Sequence, residues 1–219
     1  MKTVLITGAA GNLGAACVNA FATADWQVVA VVSPGKRPGA SHPAVEYIEL
    51  DLSKEKETAE GLEKLLQRHG AIDAALLLVG GFESGGLDRT DGAALQRMYS
   101  LNFETAFFTA KPLFRAMKER REGKIIFVGA RPALDPGSGK NLVAYGLSKS
   151  LLFTFAGYLN AAAERRMAHV VVFSALDTPQ NRAAMPKADR SAWVAPEKVA
   201  QVMLRLTTGI QEEVVVEIA

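Results

Sequence analysis

Tyr145 and Lys149 stand four residues apart, in Tyr145-Gly146-Leu147-Ser148-Lys149, near the start of a long apolar stretch. On a helix, positions i and i+4 lie above one another on the same face. A lysine ammonium beside a phenol favours the phenolate, which predicts a tyrosine pKa lowered from its ordinary value of ~10 toward neutrality. A phenol tuned in that way can donate or accept a proton beside a reacting oxygen or nitrogen. The spacing is common in helices, so its meaning depends on what the rest of the chain sets beside it.

The first such element is at the N-terminus. Val4-Leu5-Ile6 reads as a strand buried on both faces, followed by Thr7-Gly8-Ala9-Ala10-Gly11-Asn12-Leu13-Gly14 and a helical run through Phe21. Strand, glycine-rich turn and helix together make a dinucleotide-binding context, in which the backbone approaches a pyrophosphate at the positive end of the helix. A plain turn with glycines for packing is the alternative. A second strand over 28–32 ends at Ser33, where an acid would bond the ribose of NAD, and Lys36 and Arg37 follow. Nearby cations suit a 2′-phosphate, so the expectation is NADP(H) over NAD(H), although both charges also fit a solvated loop.

The remaining elements alternate. Strands are predicted at 45–50, 72–79, 124–128, 170–173 and 214–218. Helices are predicted at 54–69, 91–121, from the Tyr145 segment to about 166, and at 196–208. Segments 83–90 and 129–141 read as loops, and a loop with a short helix runs to Trp193. The pattern predicts one domain over residues 1–219, a Rossmann-type doubly wound α/β sheet of about seven parallel strands with helices on both faces. Asp51-Leu52 end the third strand and Gly80-Gly81-Phe82 the fourth, at the carboxyl edge where such sheets bind ligands.

Composition narrows the function classes. The 219 residues are 49% hydrophobic, enough for a sizeable core, and the net charge of +2 gives no basic stripe for nucleic acid. Cys17 is the only cysteine, which excludes an internal disulfide framework. The uncharged run over 150–163 is too short to span a membrane, and the chain opens directly on a strand, so a cytoplasmic location is expected. His42 is read as a loop residue, His69 as the end of a helix and His169 as preceding a strand. No two share metal-ligand spacing, so no metal is expected. The segment over 142–163 is apolar nearly all round and needs cover on both sides, which predicts a homodimer or homotetramer.

The glycine turn, Asp51, Gly80-Gly81, Asn102 within a helix, and Tyr145-x-x-x-Lys149 come in an order that resembles the short-chain dehydrogenase/reductase family over the whole chain. The resemblance implies roles. Gly8, Gly11 and Gly14 would hold the pyrophosphate, with Asn12 and Leu13 beside it. Asp51 and Leu52 would meet the adenine, and Gly80 and Gly81 the nicotinamide ribose. Tyr145 would donate a proton, Lys149 would bond the ribose and tune the phenol, and Asn102 would order a relay water. The departures are Asn12 where the family's middle glycine belongs, Leu77-Leu78-Val79-Gly80 for its usual turn, and a missing serine before the tyrosine. Ala130 stands in that serine's place, and Ser138 lies at the wrong spacing to replace it.

These departures, with Leu176-Asp177-Thr178-Pro179-Gln180-Asn181-Arg182 and the stretch from Met185 to Trp193, are similar to the dihydropteridine reductase branch. That branch carries an acid at Ser33 and a tryptophan at Phe82. The resemblance implies an NAD(P)-dependent oxidoreductase that passes hydride to a flat, electron-poor acceptor such as a quinonoid dihydropteridine. Such an acceptor develops no ketone oxyanion, so a hydroxyl donor worth about 2.7–4 kcal/mol elsewhere is dispensable. Phe82 and Trp193 would stack on the ring, with packing at a pocket rim as the alternative. Thr178 would bond the cofactor or cap a turn. Reduction of another carbonyl, imine or quinone, or NADP(H) binding without turnover, are the competing functions.

Overall fold

The computed structural model describes residues 1–38, 42–209 and 213–218. Seven strands form one parallel sheet: β1 (Thr3–Thr7), β2 (Gln27–Val32), β3 (Val45–Glu49), β4 (Ala74–Leu77), β5 (Lys124–Val128), β6 (Ala168–Phe173) and β7 (Val215–Ile218), in the order β3-β2-β1-β4-β5-β6-β7. The order reverses between β1 and β4, which opens a crevice at their carboxyl ends.

The inner strands, largely apolar, are buried on both faces, as in an all-parallel sheet covered by helices on each side. Val4 and Ile6 of β1 join one core layer with α1 (Asn12–Thr23) and α8 (Pro196–Thr208). Leu5 joins the other, with α2 (Glu55–His69), α4 (Thr105–Arg120) and α6 (Val143–Ala163). Acidic Glu55 and Glu57 open α2, and Arg68 and His69 close it, which matches the helix dipole at both ends. His69 also meets the carboxylate of Glu46, 2.9 Å away.

Four expectations change. The single helix expected over 91–121 is divided into α3 (Gly92–Tyr99), a π-helical stretch at Ser100–Glu104 and α4. The hydroxyls of Thr105 and Thr109 donate back to the carbonyls of Leu101 (2.8 Å) and Thr105 (2.7 Å), a pattern that bends helices. The fourth strand stops at Leu77 instead of Val79, because the Thr7 hydroxyl accepts the Leu78 N–H at 2.9 Å and the Val79 N–H at 3.4 Å. Those donors leave the ladder satisfied.

The sixth strand starts earlier, at Ala168, since buried Asn160 of α6 accepts from the N–H groups of Met167 and Ala168, each at 2.8 Å. His169 is therefore inside β6 and fully buried, with Nδ1 2.8 Å from the Glu213 carbonyl. Burial holds its pKa below the usual imidazole value. Within the loop expected over 129–141 lies the short helix α5 (Arg131–Leu134). Between β6 and α8 the regular structure is α7 (Pro179–Ala184). Among the described residues no helix is long and apolar enough to cross a membrane, and no group of three or more His, Cys, Asp or Glu is placed to hold a metal ion.

Candidate active site

The β1–α1 turn is built around absent side chains. The Gly11 N–H donates to the Gly8 carbonyl at 3.0 Å, and a Cβ on Gly14 would stand 2.2 Å from that same oxygen. Only glycine lets helix and turn come this close. Gly11 is the N-cap of α1, no side chain caps the helix, and its first turn holds no acidic residue. The positive end of α1 thus faces the crevice without an internal acceptor, as a pyrophosphate cradle requires. These residues fit a dinucleotide.

Opposite lies the tyrosine–lysine pair. Gly8, Gly11, Asn12, Leu13, Gly14, Gly80, Gly81, Phe82, Tyr145, Lys149 and Thr178 all line one cavity of about 380 Å³ at the carboxyl ends of β1, β4, β5 and β6. Lys149 is buried, and its Nζ donates to the Val128 carbonyl at 2.9 Å. A Cβ on Gly80 would come 3.1 Å from that Nζ and 2.7 Å from Oδ1 of Asn102, so a side chain there would displace both. The Phe82 ring meets Tyr145 edge-on, 5.2 Å between centroids, while itself 66% exposed.

Asn102 sits in the π-helical stretch, behind the cavity wall and fully buried. Its Oδ1 accepts the Gly81 N–H at 2.8 Å, and its Nδ2 donates to the Gly81 carbonyl at 3.2 Å and to Ser148 Oγ at 3.0 Å. Ser148 in turn donates to the Tyr145 carbonyl at 2.8 Å. One asparagine therefore ties the glycine turn after β4 to the helix that carries Tyr145 and Lys149. The sequence offered no signal for Ser148 beyond a polar residue in an apolar helix.

The expected tuning of Tyr145 is reversed. Burial pushes the phenol up to about 12 and pulls Lys149 down to about 8. Both shifts disfavour the charged form, as desolvation does, and the ammonium is spent on Val128. Tyr145 is therefore the protonated acid at neutral pH.

Other expected residues lie elsewhere. Ser33, Lys36 and Arg37 are exposed beyond β2, where the Lys36 N–H closes a turn on the Ser33 carbonyl (3.0 Å) and the Gly35 N–H donates to the Glu49 carboxylate (2.8 Å). Asp51 follows β3, its carboxyl held below the usual range by hydrogen bonds from Ser53, and neighbouring Leu52 is buried. Neither strand end contributes to the 380 Å³ cavity. Trp193 also stands outside it, with the Arg190 guanidinium 5.7 Å over its ring. Ser138 is exposed, donates to the Asp135 carbonyl at 2.8 Å and does not line the cavity. Ala130 is buried at the N-cap of α5.

Thr178 caps α7, accepting from the Asn181 N–H at 3.1 Å, and lines the cavity as well. Leu176, Gln180 and Asn181 complete that wall; the sequence marked them within the stretch that resembles the dihydropteridine reductase branch but gave them no site role.

The chain matches the short chain dehydrogenase family over residues 2–188. It belongs to that family. Among its relatives is a dihydropteridine reductase of Dictyostelium discoideum, 24% identical over 213 residues that make up 95% of this chain and 88% of the relative. Solved structures share the fold. One is ElxO with NADP bound, at TM-score 0.85, 17% identity and coverage of 99% of this chain and 96% of that one. Another is a 3-ketoacyl-(acyl-carrier-protein) reductase of Brucella melitensis complexed with NADH, at TM-score 0.82 and 21% identity, covering 99% of this chain and 96% of the other. As a short-chain dehydrogenase/reductase, the protein is an oxidoreductase of a family that binds NAD(P)H and acts on small molecules.

Replacement of Gly14 by alanine drives a methyl into the Gly8 carbonyl, where only backbone can yield. The expected outcome is at least a tenfold rise in cofactor Kd, about 1.4 kcal/mol, read by NADPH fluorescence titration of the folded variant.

Proposed function

We propose that the protein is an NAD(P)H-dependent reductase that passes hydride to a flat, electron-poor acceptor such as a quinonoid dihydropteridine. The observation that carries this reading is Ala130, buried at the end of β5 where the family's hydroxyl donor belongs. A site without that donor is poorly suited to a ketone, whose developing oxyanion needs it. It suits a conjugated imine, which delocalises charge within its own ring. The exposed Phe82 ring beside Tyr145 offers an aromatic surface for such a molecule. Similarity to a dihydropteridine reductase along 95% of the chain points the same way.

When bound, the nicotinamide supplies the hydride. Tyr145, protonated at neutral pH, supplies the accompanying proton, so the acceptor gains a hydride and a proton, two electrons and two hydrogens in all, and the nicotinamide is left oxidised. Lys149 holds its charge beside Val128 and Gly80, where it would bond the ribose of a bound cofactor. Asn102 acts by fixing Gly81 and, through Ser148, the turn of α6 that bears Tyr145. Lys36 and Arg37, presented by the turn after β2, favour NADPH over NADH.

Stopped-flow oxidation of NADPH and NADH with quinonoid dihydropterin tests the assignment. Rapid NADPH oxidation is expected, with a loss of roughly 10²–10⁴-fold in Tyr145→Phe that leaves cofactor binding intact. Oxidation only with quinones or diketones assigns another acceptor. Binding without oxidation of any acceptor overturns the proposal.

The outer side of α6 supports a homodimer. Leu147, Leu151 and Tyr158 are exposed there, and the first two share an apolar groove with Leu95 and Tyr99 of α3. A second copy covering this surface predicts at least twice the 23.4 kDa chain mass in light scattering, and a monomeric mass contradicts it.

A further inference from the structure

We infer that Gln180 is a cofactor-retaining residue that works with Asn12 as a clasp across the mouth of the cofactor cradle. The inference rests on the dinucleotide reading of that cradle. Asn12 is the departure from the family's glycine pattern, and a side chain at this position must go somewhere. It reaches over the cavity, and its Nδ2 donates to Oε1 of Gln180 at 3.0 Å, 168 residues along the chain. Both residues line the cavity and both are exposed, so the bond lies along its rim. Among the described residues it is the one hydrogen bond between two side chains that both line this cavity.

The two ends of the clasp are mounted on rigid supports. Asn12 opens α1, which is packed against the sheet and α8 through Leu13, Cys17 and Phe21. Gln180 hangs from α7, whose base is held by three independent sets of bonds. Thr178 caps it. The Asn181 side chain donates to the Leu176 carbonyl at 2.9 Å. Arg182 grips Asp177 with Nε at 2.5 Å and the second nitrogen at 2.6 Å. Below, the Asp177 N–H bonds the Val194 carbonyl at 2.9 Å and the Val194 N–H bonds the Ala175 carbonyl at 2.8 Å.

Closing the clasp therefore orders little beyond two amide side chains, and opening it breaks one exposed hydrogen bond. A pyrophosphate at the α1 N-terminus would lie between these supports, and the bond across them must open before it leaves. The consequence is kinetic. Neither amide needs to touch the cofactor, and each acts through the other.

The test is the rate of NADPH dissociation, followed by stopped-flow fluorescence as excess NADP⁺ displaces it, in a double-mutant cycle. Asn12→Ala and Gln180→Ala are each expected to speed release about 3- to 10-fold, the scale of one net hydrogen bond. The double variant should release no faster than the faster single, and the exchanged pair Asn12→Gln with Gln180→Asn should restore slow release.

Melting temperatures of the unliganded single variants should stay within about 2 °C of the parent, as for surface changes without a structural role. If Asn12→Ala alone speeds release, Asn12 acts directly and the clasp is overturned. An unchanged rate in Gln180→Ala, or a double variant equal to the product of the singles, overturns it too. A parent protein that binds neither NADPH nor NADH overturns the cofactor reading first, and the clasp with it.

Discussion

The site depends on taking the ammonium of Lys149 out of water. A buried cation is costly unless something polar meets it, and here the Val128 carbonyl does so at the end of β5. The same burial lowers its pKa to about 8 and raises that of Tyr145 to about 12, so a neutral phenol stands beside the cation, set by desolvation rather than by mutual attraction. The nearby chain is arranged around this. Gly80 is bare because the Nζ of Lys149 and the amide of Asn102 fill the space a side chain would take. The π-helical stretch sets Asn102 where it grips both polar groups of Gly81. Such local departures from regular helix recur at functional sites, and this one has a clear task.

The opposite wall follows a different logic. There the chain removes side chains instead of burying a charge, so that backbone dipoles face outward from α1. The two walls come from the two halves of the sheet, and the reversal between β1 and β4 separates them. The proposed dinucleotide would span that gap, the α1 wall holding its pyrophosphate and the Lys149 wall its ribose. The wall after β6 completes the enclosure through Thr178, Gln180 and Asn181.

Much of this was legible in the sequence. The inner strands are mostly buried apolar runs, the edge strands β3 and β7 carry glutamates, and all seven stand near where they were expected, with ends shifted by a few residues. The glycine turn was legible because close backbone approach admits one residue type. What escaped depended on side chains answering backbone groups far along the chain. Thr7 ends β4, Asn160 begins β6, and two threonine hydroxyls help divide a helix that periodicity alone runs together.

The sign of the Tyr145 shift escaped for a related reason. Spacing of four residues reports adjacency and says nothing of solvent, and solvent decides the sign. Trp193 shows the limit of resemblance, since it packs under Arg190 away from the cavity. Gln180 shows the converse, a residue within the resembling stretch that had no assigned role until geometry brought it to the rim.

The central claim, that burial rather than the neighbouring lysine sets the state of Tyr145 in the free protein, is tested by ultraviolet difference titration of the parent against Tyr145→Phe without cofactor. The account predicts no phenolate from this residue up to about pH 10.5, beyond the ordinary phenol midpoint of ~10. A Tyr145 midpoint well below that ordinary value, near neutrality, would contradict it.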